Sequence, residues 1–248
     1  VVLTLWQLGG AFWFIFATFV FMMGAAVGSF LNVCISRWPA NLSVVAPRSR
    51  CPRCERPIAW YENIPLVSWV ALRARCRGCQ LPISVQYPAV ELLVALGWLA
   101  AFVVYPDPFL ALRVAVFGTV LAGIAVTDGQ HYIIPDGFTV FGLAWVLVTS
   151  ITALVLGRES APFATPLEAL YGACVGAGAI AIIGWLGEVA LKREAMGFGD
   201  ATLMAVVGAA LGPERALLTV FVGAGLGAVT FLVFVLPIGW LRARGRST

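Results

Sequence analysis

Two carboxylates and four cysteines are the residues of this chain whose types and spacing point to chemistry. Asp200 closes the stretch MGFGD, Met196 to Asp200, and leads directly into an apolar run from Ala201; Asp128 opens DGQHYIIPD, where another apolar run ends. An acid at the edge of a membrane-embedded segment is unfavourable unless it has a partner or a task. Two such acids converging on one site would share a proton, because like charges held close do not both ionise at modest cost. One then serves as base to activate water while the other, protonated, polarises a peptide carbonyl. Gly197 and Gly199 suit that reading: without a Cβ they let a substrate backbone pass close to the carboxylate and allow unusual dihedrals. Gly-x-Gly-Asp is a weak pattern by itself, and an ion or proton relay stands beside hydrolysis as a reading of these acids.

The cysteines carry a stronger signal. Cys51-Pro-Arg-Cys54 and Cys76-Arg-Gly-Cys79 are CxxC pairs separated by 21 residues. Each pair can turn two thiolates onto one ion, and two pairs complete a tetrahedral four-cysteine Zn2+ site. Four protein ligands leave no open position, so the ion is expected to fold its segment and not to catalyse. Cys34 and Cys174 stand alone in apolar runs and read as small core residues.

These residues need membrane-spanning elements to position them. The chain has 248 residues, 61% hydrophobic and 11% charged, with a mean hydropathy of +0.95. That composition excludes an ordinary soluble domain. Spans need roughly 20 apolar residues. The runs lie at about 11–35, 87–105, 109–127, 138–156, 167–190, 201–212 and 215–240 (boundaries good to a few residues). The predicted fold is an all-α polytopic membrane protein with about seven transmembrane helices. The sixth run is short for a full crossing, so it either begins below the membrane surface or joins the seventh by a tight turn at Leu211-Gly212-Pro213. The expected organisation is a first helix in 1–36, a zinc-binding insert in 37–86 and a helical bundle in 87–248. The first run lacks a small-residue cleavage pattern and reads as a retained span.

Charge sets the expected orientation. The insert holds Arg37, Arg48, Arg50, Arg53, Arg56, Arg73, Arg75 and Arg77; Lys192 and Arg193 precede MGFGD, and Arg242, Arg244 and Arg246 lie at the tail. Arg113, Arg158 and Arg215 fall on the other side. The positive-inside rule places the insert, Asp128 and Asp200 on the cytoplasmic face. Reduced thiols there favour metal over disulfides. The net charge of +4 fits an anionic lipid surface and no nucleic-acid partner, since the arginines flank membrane segments. No tandem repeat is evident, and the Gly- and Ala-rich runs of the second half read as close helix packing.

The remaining polar residues have simpler expectations. Asp136 is placed to cap a helix N-terminus, and Glu188 to pair with Lys192 one turn on. Glu91, inside the second span, needs a partner such as an insert arginine or a polar substrate group. His131 is expected in the loop after Asp128. AWYENIPLVSWVALRAR, between the cysteine pairs, suits a small core or a surface lying on the bilayer.

Several motifs in one order give the chain a family resemblance. GSFLNVCISRWP at Gly28–Pro39, both CxxC pairs, ENIPLVSW at Glu62–Trp69, YPAVE at Tyr87–Glu91, DGQHYIIPD at Asp128–Asp136 and GFGD at Gly197–Asp200 together resemble the bacterial type IV prepilin peptidases. These are leader peptidase/N-methyltransferases. The resemblance implies a membrane aspartic protease of the GxGD type with Asp128 and Asp200 as its catalytic pair. It implies prepilins and type II secretion pseudopilins as substrates, cut at the cytoplasmic face of the bacterial inner membrane after a short basic leader. It also implies S-adenosylmethionine-dependent methylation of the new N-terminal amine. Asn32, Arg37, Glu62, Asn63 and Glu91 fall in the matching motifs and are candidates to hold the leader or contribute to methyl transfer; Asn32 and Arg37 equally fit capping of the first helix. Members commonly carry a second acid two residues after the first catalytic one, where this chain has Gln130. No Gly-rich Rossmann turn is present, so a methyl-donor pocket has to be built from the insert and adjacent membrane ends. A peptidase without methyltransferase activity is the alternative, and a membrane scaffold or transporter with a structural zinc module is a more distant one. Oligomeric state is left open.

Overall fold

A backbone surrounded by hydrocarbon has to satisfy its own N–H and C=O groups, so each long apolar run is expected to close into a helix. The computed structural model, which describes residues 10–158, 161–193 and 196–237, is all-helical apart from loops and two isolated β-bridges. Helix α1 spans Gly10–Arg37 and ends in a 3-10 turn, Trp38–Ala40. A 3-10 turn at Trp60–Asn63 and the short α2, Val67–Ala71, lie in the insert. Then come α3 (Gln86–Val104), α4 (Pro108–His131), α5 (Asp136–Val155), α6 (Pro166–Leu191), α7 (Phe198–Leu211) and α8 (Pro213–Thr230), which continues as a π turn, Phe231–Val235. Among the described residues, six helices are long and apolar enough to cross a membrane, and α7, with 14 residues, is a shorter apolar helix. Arg242, Arg244 and Arg246, and the end of the last run, lie outside the described residues.

Two compact units divide the chain, residues 1–145 and 146–248, with α5 contributing to both. In the first, α1 and α3 pack antiparallel at very short range. A Cβ on Gly24 would lie 2.8 Å from the Cα of Ala95, and one on Gly28 would lie 2.8 Å from the Cα of Glu91. Only glycine permits that approach. Trp98 on α3 donates its indole N–H to Thr119 Oγ1 on α4 at 3.0 Å. The start of α5 closes on the end of α1, where Trp38 meets Phe138 edge to face at 4.4 Å. Arg113 lies fully buried within α4, its guanidinium 5.9 Å from the Phe109 ring centre.

In the second unit, α6 and α7 pack backbone to backbone: a Cβ on Gly172 or Gly208 would collide with the carbonyl of the other. The expected turn into α8 is present, with Gly212 at φ +83°, a conformation that disfavours other residues. Ser150 donates to the Ala164 carbonyl at 3.1 Å and Ala164 N–H to the Ala210 carbonyl at 2.8 Å, tying the loop before α6 to its neighbours. The packing expectation does not extend to α8. Gly223, Gly225 and Gly227 have no described neighbour within 4 Å of a built Cβ.

Gly172→Val is expected to destabilise the protein by about 1–3 kcal/mol through overpacking at the α6–α7 contact. Gly225→Ala is expected to be neutral or slightly stabilising. Thermal unfolding of the detergent-solubilised protein checks both, and equal melting behaviour of the two variants would contradict the packing assignment.

Candidate functional site

The insert folds around its cysteines, and it does so twice. Arg50-Cys51-x-x-Cys54-x-x-Pro57-Ile58 recurs 25 positions later as Arg75-Cys76-x-x-Cys79-x-x-Pro82-Ile83. Each copy closes by the same bonds. Cys51 N–H donates to the Arg56 carbonyl at 3.0 Å and Cys76 N–H to the Leu81 carbonyl at 2.9 Å; Glu55 and Gln80, with φ of 56° and 59°, each donate back to the first cysteine carbonyl at 2.9 Å. Antiparallel bridges Arg50–Pro57 and Arg75–Pro82 complete the two knuckles. The two knuckles expected from the CxxC pairs are thus copies of one pattern, separated along the chain and not a tandem repeat. The shared pattern is only nine residues long, with four positions substituted between copies, which hides it from inspection for long periods.

The four sulfurs lie within 4.8 Å of one another, with Cys51–Cys79 at 3.9 Å and Cys54–Cys76 at 4.0 Å. A tetrahedral ion with Zn–S arms of about 2.3 Å places its sulfurs about 3.8 Å apart, so the four cysteines are positioned to bind a metal ion. Backbone N–H groups of Cys79 and Gly78 lower the Cys76 thiol to about 6, and those of Cys54 and Arg53 lower Cys51. Cys79 also receives an N–H, from Leu81, but lost hydration and the three neighbouring thiols push it up to about 11. Thiolates thus form readily at the front of each knuckle, and completing the set calls for a cation among them.

Glu62 links the knuckles. Its Oε1 meets Arg56 at 3.0 Å and Arg77 at 3.5 Å, while Oε2 accepts the Ala59 N–H at 3.2 Å. Reduced hydration pushes its carboxyl up, but the Ala59 amide and Arg56 outweigh it and the net direction is down. Both oxygens of this candidate ligand are engaged. Arg37 is similarly committed, donating to the carbonyls of Ser43 at 2.8 Å and Pro47 at 2.7 Å and folding the chain back at the end of α1. Trp69 donates to the Ile83 carbonyl at 3.3 Å, whereas Trp60, Val67 and Val70 are exposed.

Between the end of α1, the insert and the start of α3 lies a cavity of about 570 Å3. Asn32, Arg37, Glu62, Asn63 and Glu91 all line it, so the structure brings these sequence candidates together. Asn63 is exposed on its wall, and Asn32 and Glu91 are buried. Asn32 Nδ2 donates to the Tyr87 carbonyl at 3.0 Å. Glu91 Oε2 accepts the Leu66 N–H at 2.8 Å, so its partner within the protein is a backbone amide and not an insert arginine.

The two aspartates sit at helix ends. Helix α4 runs beyond the expected limit to His131, so Asp128 and His131 are helical, and Tyr132 in the left-handed conformation returns its N–H to the Asp128 carbonyl at 2.8 Å. Asp128 is exposed and belongs to the first unit. Asp136 is the first residue of α5. Asp200 is the third residue of α7 and half-buried in the second unit, with Gly197 as N-cap. Gly197 has ordinary extended angles, φ −76° and ψ 149°, so its use is not an unusual dihedral. A groove of about 280 Å3 lies beside it, lined by Gly184, Trp185, Glu188 and Phe198. Glu188 is exposed and makes no ion pair with Lys192, which instead caps α6 through its backbone.

Comparison with known proteins covers both units. Residues 22–105 match the bacterial peptidase A24 N-terminal domain, and residues 114–232 match the type IV leader peptidase family. A prepilin leader peptidase/N-methyltransferase of Myxococcus xanthus is 42% identical over 243 residues, 98% of this chain and 70% of that protein. A type 4 prepilin-like proteins leader peptide-processing enzyme of Escherichia coli is 37% identical, covering 77% and 75%, and a prepilin leader peptidase/N-methyltransferase of Pseudomonas aeruginosa is 33% identical, covering 84% and 78%. No solved structure matches the chain. With two family matches in sequence order, and relatives aligned over most of both partners, the chain belongs to the type IV leader peptidase family.

Proposed function

We propose that this protein is a multi-pass aspartic endopeptidase that removes the leader from prepilins and pseudopilins and then N-methylates the new terminus. The carrying observation is that one family match, residues 114–232, contains both Asp128 in the last turn of α4 and Asp200 in the first turn of α7. Asp128 and Asp200 act as the pair: one carboxylate takes a proton from water, and its protonated partner polarises the scissile carbonyl. Gly197 and Gly199 leave room for the substrate backbone at Asp200. The bias of Lys and Arg supports placing both acids at the cytoplasmic face of the inner membrane, where a water-exposed leader meets an apolar pilin helix.

Cys51, Cys54, Cys76 and Cys79 hold Zn2+ as a structural ion in this reading, because thiolate ligands in a closed tetrahedral set favour it. Residues 1–36, 37–86 and 87–248 then serve as first helix, zinc insert and catalytic bundle. S-adenosylmethionine, when bound, supplies an electrophilic methyl group. The cavity of about 570 Å3, whose wall combines apolar side chains with Asn32, Glu62, Glu91 and five arginines, fits the size range of small-molecule sites, roughly 300–1,000 Å3.

Coexpression with a prepilin tests the peptidase. Wild type should shorten the pilin, and Asp128→Asn and Asp200→Asn should each slow cleavage by about 10²–10⁴-fold. Cleavage at the wild-type rate by either variant would remove that residue from the pair. Metal analysis tests the insert: wild type should carry about one zinc per chain, and Cys51→Ser combined with Cys76→Ser should carry almost none. Full metal content in the double variant would refute the four-cysteine site.

A further inference from the structure

Asn32 is only 5% exposed, its Nδ2 is bonded to the Tyr87 carbonyl, and its Oδ1 has no hydrogen-bond partner among the described residues. An enclosed acceptor without a donor is unfavourable, and in native proteins such atoms commonly mark a missing ligand or water. Asn32 faces α3 in the antiparallel register that sets Gly24 against Ala95 and Gly28 against Glu91. Glu91 therefore lies one turn beyond Tyr87 on the facing helix, and both Asn32 and Glu91 line the cavity.

Glu91 is held by an uncommon piece of backbone. Leu66 has φ +61° and ψ −48°, and Val67 N–H donates to the Pro65 carbonyl at 2.6 Å, a three-residue γ-turn of the rare positive-φ kind. Strain of this sort persists where the surroundings impose it and clusters at functional sites. The Leu66 amide bonds Oε2 of Glu91, and the second oxygen has no hydrogen-bond partner among the described residues. Glu62, the other carboxylate on the wall, has both oxygens engaged.

We infer that Asn32 Oδ1 and the Glu91 carboxylate bind the free N-terminal amine of the cleaved chain, making this end of the cavity the acceptor half of the N-methyl transfer site. The inference rests on the methyl-transfer part of the proposed function. An ammonium has three donors and no acceptor, which a neutral carbonyl oxygen and a carboxylate complement. A calcium ion takes six to eight oxygens, more than this pair offers. The amino-acid end of a methyl donor carries a carboxylate beside its ammonium; Arg37 already serves two backbone carbonyls, but Arg50 and Arg53 also line the cavity, so the donor's own amine is the competing occupant that the test below separates. The ammonium gives one proton to Glu91. Its freed lone pair attacks the methyl carbon of the sulfonium donor; the N–C bond forms as the C–S bond breaks, and the donor leaves as a neutral thioether.

Peptide binding to the full-length enzyme without methyl donor tests this. The probe is a synthetic peptide with the mature N-terminus of the prepilin used in the cleavage assay, with its amine free or acetylated. Wild type should favour the free amine by about tenfold or more, as expected for a charge-assisted hydrogen bond. Glu91→Gln and Asn32→Leu should each lose most of that preference while retaining their metal. Equal affinity of the two peptides for wild type, or preference retained in both variants, would overturn the assignment. So would weakened S-adenosylhomocysteine binding in both variants with peptide preference intact, which places the donor's own amine there. Failure of the peptidase reading shows separately, as prepilin left uncut by wild type.

Discussion

The close approach of α1 to α3 is the contact on which the first unit depends. With a Cβ at Gly24 or Gly28, the helices could not sit where their backbones now nearly touch. That antiparallel pairing brings Arg37 and Gln86 to the same end of two neighbouring helices, so the insert leaves and re-enters the unit over a short gap. A long excursion becomes a closed loop, for which the entropic cost of closure rises only slowly with length. The same register sets Asn32 against Tyr87 and puts Glu91 within reach of the Leu66 amide. Helix packing, cavity wall and insert docking share one geometric cause.

The insert has almost no apolar core of its own, and its stability has to come from elsewhere. Cys51 and Ser68 are its buried residues, and Ser68 is engaged by the Ile64 N–H and the Tyr61 carbonyl. Small segments of this kind usually need a metal or disulfides. Two equivalent knuckles, each closed by backbone bonds, bring four sulfurs within 4.8 Å of one another, and Glu62 bridges one arginine from each knuckle. Because Arg56 and Arg77 are substantially exposed, these ion pairs are weak by themselves. Their contribution is to hold the knuckles in register around the sulfurs.

Much of this was legible in the sequence where a single physical signal decides. Hydrophobicity located α1 and α3 to α8, the short α7 included, but not α2 in the insert, and Gly212-Pro213 marked the turn into α8, because one residue has to adopt positive φ and the next cannot continue a helix. CxxC spacing located the four cysteines that are positioned to hold a metal ion, because local geometry suffices to bring each pair together. Longer-range or competing effects were less legible. Helix α4 continues through Asp128 to His131, since polar residues at the end of a span can remain helical until Tyr132 takes the left-handed conformation. Charge made an arginine the natural partner for Glu91, yet a γ-turn supplies a backbone N–H that sequence does not announce. The stripe of glycines in α8 looks like that in α6, but only the latter meets a close described neighbour.

The polar groups assigned chemistry share a position that follows from the bilayer as solvent. Asn32, Glu91, Asp128 and Asp200 all lie within two turns of a helix end. There the backbone has unpaired groups, water can approach, and a loop can supply a bonding partner, as Leu66 does for Glu91. At mid-span the same side chains would have neither water nor a flexible partner segment, and their desolvation would oppose folding. Fully buried Arg113 reaches an aromatic ring on its own helix. Helix ends therefore give this family a place to do hydrolytic and group-transfer chemistry without sacrificing the apolar exterior that keeps the chain in the membrane.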